Sequence, residues 1–346
     1  MEIASVTGFR YRLPLRAPLR LGAHTIAARE GLLVRVTVAT GGAGWGDAAP
    51  LPGFSSETLD EAAEALDAAA SALRGRAVEE ALAYVAAEGA TPSVRFGLEL
   101  ALFDLRAQAA ATPLPAVLGP APRSVVSLNG LIAETGPAAL AAAERLPAAG
   151  YRAVKLKVGR QAVADDAALV RRVKARLGAA ALRLDANRAW SLDAARAFAE
   201  AVADVPIAYV EEPLADPSAL PTLAAETALP VALDERVQEG ARPAAPPYAR
   251  AVVLKPPAAE AVAVGATPVL SAAFESGVGL RGLVALAACL GADDVPAGLD
   301  TYRRFSADVL RPRLPLSGPR VDVAAVMAAD RTFNPDVLSH ASSMIA

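Results

Sequence analysis

The amino-acid sequence predicts an α/β fold in which a (β/α) barrel follows a smaller α+β module. Three features of the 346 residues support this prediction. The chain opens with antiparallel-strand alternation followed by helical spacing of alanine and leucine. Short β-branched or leucine-rich strands then alternate with alanine-rich helices, which is typical of parallel α/β folds. Charged residues recur at the ends of these strands, where barrels carry their chemistry.

The first module begins with two predicted antiparallel strands, Glu2–Arg12 and Gly31–Val38. The polar segment between them, Leu21–Arg29, is long for a hairpin loop, so it is a candidate lid. The second predicted strand ends before the tight turn Gly41–Ala43. An antiparallel pair with a lid-like loop is therefore expected at the start of the chain.

A second loop, Gly44–Ser56, is stiffened by glycine and proline. Its Trp45 and Phe54 either cap an apolar ligand or pack on neighbouring helices. Helical spacing follows from Glu57 to about Ala110. Within it, Pro92–Asp104 is predicted to be a buried helix with proline in its first turn.

Eight strands are predicted after the proline-rich connection Thr112–Pro122, as a (β/α) barrel requires. We therefore assign residues 1–120 to the first module, 121–300 to the barrel and 301–346 to a segment that returns to the first module. The predicted strands are Val125–Asn129, Ala153–Lys157, Leu182–Asp185, Ala208–Glu211, Val231–Asp234, Val252–Lys255, Val269–Ser271 and Ala297–Leu299.

Composition excludes several classes of function. The net charge is −3 and 21% of the residues are charged, so no polybasic surface for nucleic acid or membrane is expected. No apolar run is long enough to span a bilayer, and the opening residues do not resemble a secretory signal. The single cysteine, Cys289, lies in an apolar run and is predicted to be a buried, inert thiol. These features predict a cytoplasmic protein.

Two lysines on the second barrel strand are the first candidates for catalysis. Lys155 and Lys157 are two residues apart, so their side chains share one face of the strand. Neighbouring ammonium groups lower each other's pKa, which suits one of them to act as a general base near neutral pH. The alternative is an edge strand whose lysines extend into solvent.

Further charged residues end the next four strands: Asp185, Glu211, Asp234 and Lys255. From Lys157 onward these positions are 28, 26, 23 and 21 residues apart, which approximates one βα unit each. Three carboxylates in one small volume require a cation, and their hard oxygen ligands favour Mg²⁺. A metal facing a lysine base suits removal of a proton next to a carboxylate. Each carboxylate could instead cap a helix. Charged residues at the ends of five consecutive strands, three carboxylates and two lysines, argue against that alternative.

These residues resemble those of the muconate-lactonising subgroup of the enolase superfamily. The matching motifs are Lys155-Leu-Lys157, Asp185-Ala-Asn187, Glu211-Glu-Pro213, Asp234-Glu235 and Lys255. The two histidines, His24 and His340, lie on no predicted barrel strand, which disfavours an arrangement with a histidine base late in the barrel.

Within that subgroup the chain resembles the o-succinylbenzoate synthase family of menaquinone biosynthesis. The stretches that carry this likeness are Gly44–Ser55, Pro92–Gly97, Leu182–Trp190, Ser271–Leu280 and Pro296–Thr301. The resemblance implies a modified (β/α)7β barrel with an α+β capping domain built from the N-terminal region and the C-terminal tail. It also implies Mg-dependent dehydration of 2-succinyl-6-hydroxy-2,4-cyclohexadiene-1-carboxylate to o-succinylbenzoate.

The resemblance also implies residue roles. Lys157 would be the base, Lys255 would stabilise the intermediate and Lys155 would tune Lys157. Mg²⁺, with Mn²⁺ as a possible substitute, would bind Asp185, Glu211 and Asp234. Supporting or substrate-contacting roles would fall to Asn187, Glu212, Glu235, Arg183, Ser271, Glu275 and Ser276. Arg236 departs from the family pattern, which usually has a small residue at that position. Ala272 and Ala273 replace residues that are often serine in the family, which puts polar substrate contacts there in doubt.

Two alternatives stay open from the sequence. A racemase of N-acylamino acids or an epimerase of dipeptides would use both lysines as a pair of bases on the same metal site. A non-catalytic, metal-binding paralogue is disfavoured because both Lys157 and Lys255 are present. The sequence leaves the oligomeric state open.

Overall fold

The computed structural model describes residues 1–21, 24–87, 90–238, 246–255, 266–290 and 295–340. Two residues of the predicted lid, Gly22 and Ala23, and the last six residues of the predicted tail, 341–346, lie outside the described residues. The strand and helix bounds below refer to the described part of the chain.

The first sheet has four antiparallel strands in the order β13-β1-β2-β3. Three of them come from the start of the chain, β1 (Ile3–Leu21), β2 (His24–Val38) and β3 (Ala43–Ala48), and β13 (Leu338–His340) comes from its C-terminal part. The predicted loop at Leu21–Arg29 is wrong, because β1 and β2 stay paired as far as Leu21 and His24. Pairing satisfies the backbone groups of this polar segment, whereas its composition alone resembles a loop.

Three helices pack on this sheet, in the region where helical spacing was predicted: α1 (Leu59–Leu73), α2 (Val78–Ala87) and α3 (Pro92–Ala109). Thr58 and Glu61 form a capping box that starts α1. Pro92 occupies the first turn of α3, as predicted, and most of that helix is buried. We refer to β1–β3 with α1–α3 as the cap.

Glycines explain how closely α3 lies on β3. A Cβ on Gly44 would lie 2.0 Å from the Ala101 carbonyl oxygen, and one on Gly46 would lie 1.8 Å from the Gly97 carbonyl oxygen. Trp45, between them, packs on Phe333, with ring centroids 4.2 Å apart. The sequence left the role of Trp45 open, and the structure places it in packing.

The substitution Gly46→Ala should destabilise the protein by about 2–4 kcal/mol, because the new Cβ would force two backbones apart. Urea unfolding followed by circular dichroism would measure this loss. Gly119→Ala is a matched control, since its Cβ would lie 3.4 Å from that of Cys289, an ordinary contact. The control should change stability by less than about 0.5 kcal/mol. Equal effects of the two substitutions would contradict the close-approach explanation.

A parallel sheet of seven strands forms the barrel, in the order β11-β10-β9-β8-β7-β6-β5. The strands are β5 (Gly130–Ile132), β6 (Ala153–Lys157), β7 (Ala181–Asp185), β8 (Tyr209–Glu211), β9 (Val231–Leu233), β10 (Ala249–Leu254) and β11 (Thr267–Leu270). The helices around it are α5 (Gly136–Ala148), α6 (Val163–Leu177), α7 (Leu192–Ala201), α8 (Leu220–Glu226), α9 (Glu235–Gln238) and α10 (Gly277–Leu290).

Residues 297 and 298 join the two edges of this sheet. Ala297 forms a parallel bridge with Leu128, next to β5, and Gly298 forms one with Ser271, next to β11. The predicted eighth strand is therefore present only as single bridges. The first predicted strand was placed too early, because β4 (Val125–Ser127) pairs antiparallel with β12 (Arg320–Asp322) outside the barrel.

The C-terminal part of the chain contacts both the barrel and the cap. After β12 come α11 (Val323–Ala328) and β13 (Leu338–His340), and β13 pairs with β1. A short helix, α4 (Leu114–Leu118), lies in the predicted proline-rich connection. Cys289 is half-buried rather than buried, and burial raises the pKa of its thiol, as suits an inert cysteine. None of the helices described here has the length and apolar character to cross a bilayer.

Candidate active site

The ends of neighbouring strands bring the predicted residues together. Lys157 on β6 lies opposite Asp185 on β7, and Asp185 lies opposite Glu211 on β8. Asp234 and Lys255 follow β9 and β10 directly. Because parallel strands end at one edge of the sheet, these side chains meet at the mouth of the barrel.

The two lysines of β6 bind the carboxylates directly. The Lys155 Nζ lies 2.6 Å from Glu211 Oε2 and 2.7 Å from Asp185 Oδ2. The Lys157 Nζ lies 2.7 Å from the same Asp185 oxygen and 2.6 Å from Asn187 Oδ1. Asp185 thus accepts from both ammonium groups.

The pKa values of the two lysines on this strand shift in opposite directions. Burial lowers the pKa of Lys157, and the Lys155 ammonium adds to this effect against the attraction of Asp185. Burial also acts to lower the pKa of Lys155, but three carboxylates outweigh it and raise that pKa well above its usual value. The prediction that each lysine lowers the other's pKa therefore describes the outcome at Lys157 and not at Lys155.

Three buried carboxylates, those of Asp185, Glu211 and Asp234, end consecutive strands. Burial raises the pKa of Glu211 to about 7, with Asp185 and Asp234 adding to the effect. The Lys255 Nζ lies 2.7 Å from Asp234 Oδ1, on the far side of the row from Lys157. A row of three anions is thus held between lysines from β6 and from β10.

The chemical type of the donor set, although not its present arrangement, suits a hard divalent cation. The set consists of carboxylate oxygens, and nearby Glu235 contributes a buried Oε2 for which the described residues provide no hydrogen-bond partner. Among the described residues, no three acidic, cysteine or histidine side chains are grouped closely enough to hold a metal ion. In this arrangement the Lys155 ammonium binds Glu211 Oε2 and the Lys255 ammonium binds Asp234 Oδ2.

Two supporting residues fix the loops that carry the carboxylates. The buried Glu212 accepts hydrogen bonds from the backbone N–H groups of Asp234, at 2.9 Å, and of Arg236, at 3.1 Å. Asn187 accepts from Lys157 and donates to Glu235 Oε1 at 3.1 Å. Both residues have positive φ, 46° for Asn187 and 39° for Glu212, a strained conformation that is typical of functional sites.

Arg183 does not reach the carboxylates. It lies two residues before Asp185 on the same face of β7, one layer deeper in the barrel. Its guanidinium donates to Asn129 Oδ1 at 3.0 Å and to the Pro296 carbonyl oxygen at 2.6 Å. The structure therefore places Arg183 in the barrel interior.

The loop after β11, residues 271–276, carries the remaining predicted residues. Ser271 Oγ donates to the Gly298 carbonyl oxygen at 3.3 Å. Both carboxylate oxygens of Glu275 accept from the Ala273 N–H, at 2.8 and 2.9 Å. Between them Phe274 has a φ of 65°, and Ser276 is fully buried. These contacts hold the loop in place. Contact of Ser271, Glu275 and Ser276 with the substrate stays a prediction.

Stability should depend on pH through Glu275. Burial raises the pKa of Glu275 from 4.5 to about 7, so the folded protein keeps a proton that the unfolded chain has lost. The contribution of protonated Glu275 to the free energy of unfolding of the wild-type protein is fully present below pH 4.5, and it is lost as the pH rises through about 7. Glutamine does not ionise, so Glu275→Gln should gain about 1–3 kcal/mol relative to wild type between pH 4.5 and pH 8. Urea unfolding at both pH values would measure this gain, and a difference that stays constant with pH would contradict it.

Sequence reasoning left one contact of the site undecided. The Phe54 ring, from the glycine- and proline-rich loop of the cap, lies 4.1 Å from the Lys255 Nζ. This is a cation–π contact across the mouth of the barrel. The aromatic residue in that loop was the available signal, but spacing alone does not show which of Trp45 and Phe54 faces the site.

Comparison with known proteins agrees with this geometry. The family profile described as MenC, N-terminal domain matches residues 3–105, and that described as Enolase C-terminal domain-like matches residues 138–252. The o-succinylbenzoate synthase of Klebsiella pneumoniae (strain 342) is 34% identical over 341 residues, covering 94% of this chain and 99% of the relative. The chain belongs to the o-succinylbenzoate synthase family.

Solved structures share the fold of this family member. The L-Ala-D/L-Glu epimerase from Bacillus subtilis has a TM-score of 0.79 at 24% identity, over 93% of this chain and 96% of its own. A dipeptide epimerase from Enterococcus faecalis V583, complexed with Mg and the dipeptide L-Leu-L-Tyr, has a TM-score of 0.77 at 21% identity, over 93% and 97%. The fold class predicted from the sequence, a barrel with an α+β cap, is confirmed.

Proposed function

We propose that this enzyme is a lyase that dehydrates 2-succinyl-6-hydroxy-2,4-cyclohexadiene-1-carboxylate to o-succinylbenzoate. The observation that carries the proposal is the row of three buried carboxylates between Lys157 and Lys255, in a chain that matches a named synthase over 94% of its length. The partner is a small carboxylate. We place the reaction in the cytoplasm, which accords with a single, inert cysteine.

We propose Asp185, Glu211 and Asp234 as the residues that would hold a divalent cation. Carboxylate oxygens favour Mg²⁺, and Mn²⁺, which shares this preference for oxygen ligands, would be its substitute. When bound, the cation supplies Lewis-acid neutralisation of the charge that develops on the substrate carboxylate. Asn187, Glu212 and Glu235 would keep these ligands in place through the contacts described above.

Lysines perform the proton transfers in this proposal. Neutral Lys157 takes the proton from the carbon next to the substrate carboxylate, and the C–H electron pair moves into the enediolate. Collapse of the enediolate forms the ring double bond and breaks the C–O bond to the hydroxyl group. The Lys157 ammonium returns its proton to the departing hydroxide, which leaves as water.

Two other lysines act through their charge. Lys255, on the opposite side of the row, stabilises the negative intermediate. Lys155 keeps its proton, because its contacts with Asp185 and Glu211 favour the ammonium form. It therefore contributes a fixed positive charge beside Lys157.

Turnover by purified protein tests this function directly. We expect o-succinylbenzoate to form from the cyclohexadiene carboxylate with Mg²⁺, and EDTA to stop its formation. Absence of product with Mg²⁺ present would overturn the proposed reaction.

A racemase or epimerase is the second candidate, since lysines stand on both sides of the carboxylate row. Such an enzyme would remove the α proton of an N-succinyl amino acid or a dipeptide from one face and return it to the other. Deuterium incorporation from deuterated water would reveal this exchange. If neither o-succinylbenzoate formation nor deuterium incorporation is detected, the non-catalytic, metal-binding alternative would be favoured.

A further inference from the structure

A buried polar cluster away from Lys157 and Lys255 joins the cap to the barrel. It contains Tyr11, Arg29 and Asp47 from the cap, and Glu275 and Ser276 from the loop after β11. All five residues are at most 5% exposed. Burying charged groups is costly unless they are paired, so the cluster requires an explanation.

Asp47 is the centre of this cluster. Its Oδ1 accepts from the Tyr11 hydroxyl at 2.8 Å, and its Oδ2 accepts from the Ser276 backbone N–H at 2.8 Å. Ser276 immediately precedes α10, so this N–H belongs to the first turn, where a helix lacks internal acceptors. Asp47 therefore caps, from another part of the molecule, the helix that follows the 271–276 loop.

Two glycines make room for these contacts. A Cβ on Gly279 would lie 2.5 Å from Asp47 Oδ2, and a Cβ on Gly31 would lie 2.3 Å from the Tyr11 hydroxyl oxygen. The glycines of β3 that let α3 approach also set the position of the strand that carries Asp47. In the Gly44-Trp-Gly-Asp47 motif, the two glycines let the strand lie close to α3, and Asp47 then lies where its carboxylate reaches Ser276.

The cluster reaches the barrel mouth through a short chain of contacts. Ser276 is adjacent to Glu275, whose carboxylate holds the Ala273 N–H. Ala273 and the strained Phe274 form the loop beside Ser271, which directly follows β11. The neighbouring strand, β10, leads into Lys255. Ser276, which Asp47 holds, is the last residue of the 271–276 loop, whereas Gly277 already belongs to α10. Release of Ser276 would therefore shift the loop that walls the mouth next to Lys255.

We propose that Asp47 is a positioning residue, whose carboxylate couples the cap to the 271–276 loop and so sets the shape of the substrate pocket beside Lys255. This inference rests on the proposed function and extends it to a residue that does not touch the reacting atoms. Loss of the Asp47 carboxylate should weaken substrate binding more than it slows the chemical step, because Lys157 and the carboxylate row lie on other strands.

Steady-state kinetics with the cyclohexadiene carboxylate and Mg²⁺ test the proposal on the full chain. Asp47→Ala should lower kcat/KM by about tenfold or more, mainly through KM, because a small misplacement of positioning groups is costly. Asp47→Asn should stay within about threefold of wild type, since its Oδ1 can accept from Ser276 while its Nδ2 donates to the Tyr11 hydroxyl oxygen.

Asp308→Ala is the matched control. Asp308 accepts from the next backbone N–H of the same helix, that of Gly277, at 2.8 Å, but it comes from the C-terminal part of the chain. A purely structural capping role would give both alanine variants similar losses of Tm and similar kinetics. We expect similar losses of Tm but a change in KM only for Asp47→Ala. Equal KM values for the two variants and wild type would overturn the proposal.

Hydrogen exchange provides a readout that needs no turnover. Amides of residues 273–280 should exchange at least about tenfold faster in Asp47→Ala than in wild type, and near the wild-type rate in Asp47→Asn. If wild type forms no product, the proposed function fails while this measurement still decides the role of Asp47. Should Asp47→Ala not fold, Tyr11→Phe, which frees one Asp47 oxygen, should raise KM and exchange in the same direction. Unchanged KM and exchange in that variant would count against the inference.

Discussion

Replacement of Lys157 by alanine should reduce dehydration by at least about a thousandfold, since the general base would be lost together with its return of the proton to hydroxide. The fold should persist, because Asp185 keeps the Lys155 ammonium at 2.7 Å as a partner. Product formation measured by absorbance, with circular dichroism and calorimetric Mg²⁺ titration on the same preparation, would test all three statements.

Lys157→Arg distinguishes a base from a fixed positive charge. Arginine keeps a cation beside Asp185 but does not release its proton in this pH range, so the variant should be as inactive as Lys157→Ala. If Lys157→Arg retained most of the activity, the residue would be acting through its charge alone.

Lys174→Ala is the control for loss of a lysine in the same strand–helix unit. Its ammonium donates to the carbonyl oxygens of Gly178 and Ala180, at the end of α6 away from the mouth. We expect this variant to lose some stability and to keep its kcat. A comparable loss of kcat in both alanine variants would mean that damage to the fold, rather than loss of the base, explains the effect.

The positions of the three carboxylates and of the lysines beside them could be predicted, because strand ends follow from the local sequence pattern. Short apolar strands alternate with helices, so the residues that end them recur at intervals of one βα unit. The bounds of β6 and the end of β7 agree with the prediction, and they place Lys157 opposite Asp185. Alternation in a strand then puts Lys155 on the same face.

Contacts between distant parts of the chain could not be predicted in the same way. Asp47 and Ser276 are 229 residues apart, and no periodicity relates them. The polar residues of Leu21–Arg29 show no strand pattern, so the sequence predicts a loop there. In the structure, pairing with β1 makes the residues from His24 onward part of β2. The raised pKa of Lys155 likewise depends on its distances to carboxylates from neighbouring strands.

Glu211→Gln should remove most of the metal affinity while preserving the site's shape. The amide oxygen can still accept from Lys155, but a neutral ligand attracts Mg²⁺ far less than a carboxylate. Loss of one charged ligand should weaken binding by at least about a hundredfold, more than is usual for residues that only support a ligand. Dehydration should fall with it, because the charge that develops on the substrate carboxylate would lack its Lewis acid.

Thermal and chemical unfolding with Mg²⁺ turn this affinity into a second measurement. At a concentration of about 100 Kd, Mg²⁺ should stabilise the wild-type protein by about 2.7 kcal/mol, whereas a hundredfold weaker site would gain only about 0.4 kcal/mol. Glu226→Gln, which changes an exposed carboxylate paired with Arg196, should behave like wild type. Equal stabilisation of wild type and Glu211→Gln would place the cation elsewhere. Stabilisation that disappears only in Glu211→Gln would tie metal binding to the carboxylate row between Lys157 and Lys255.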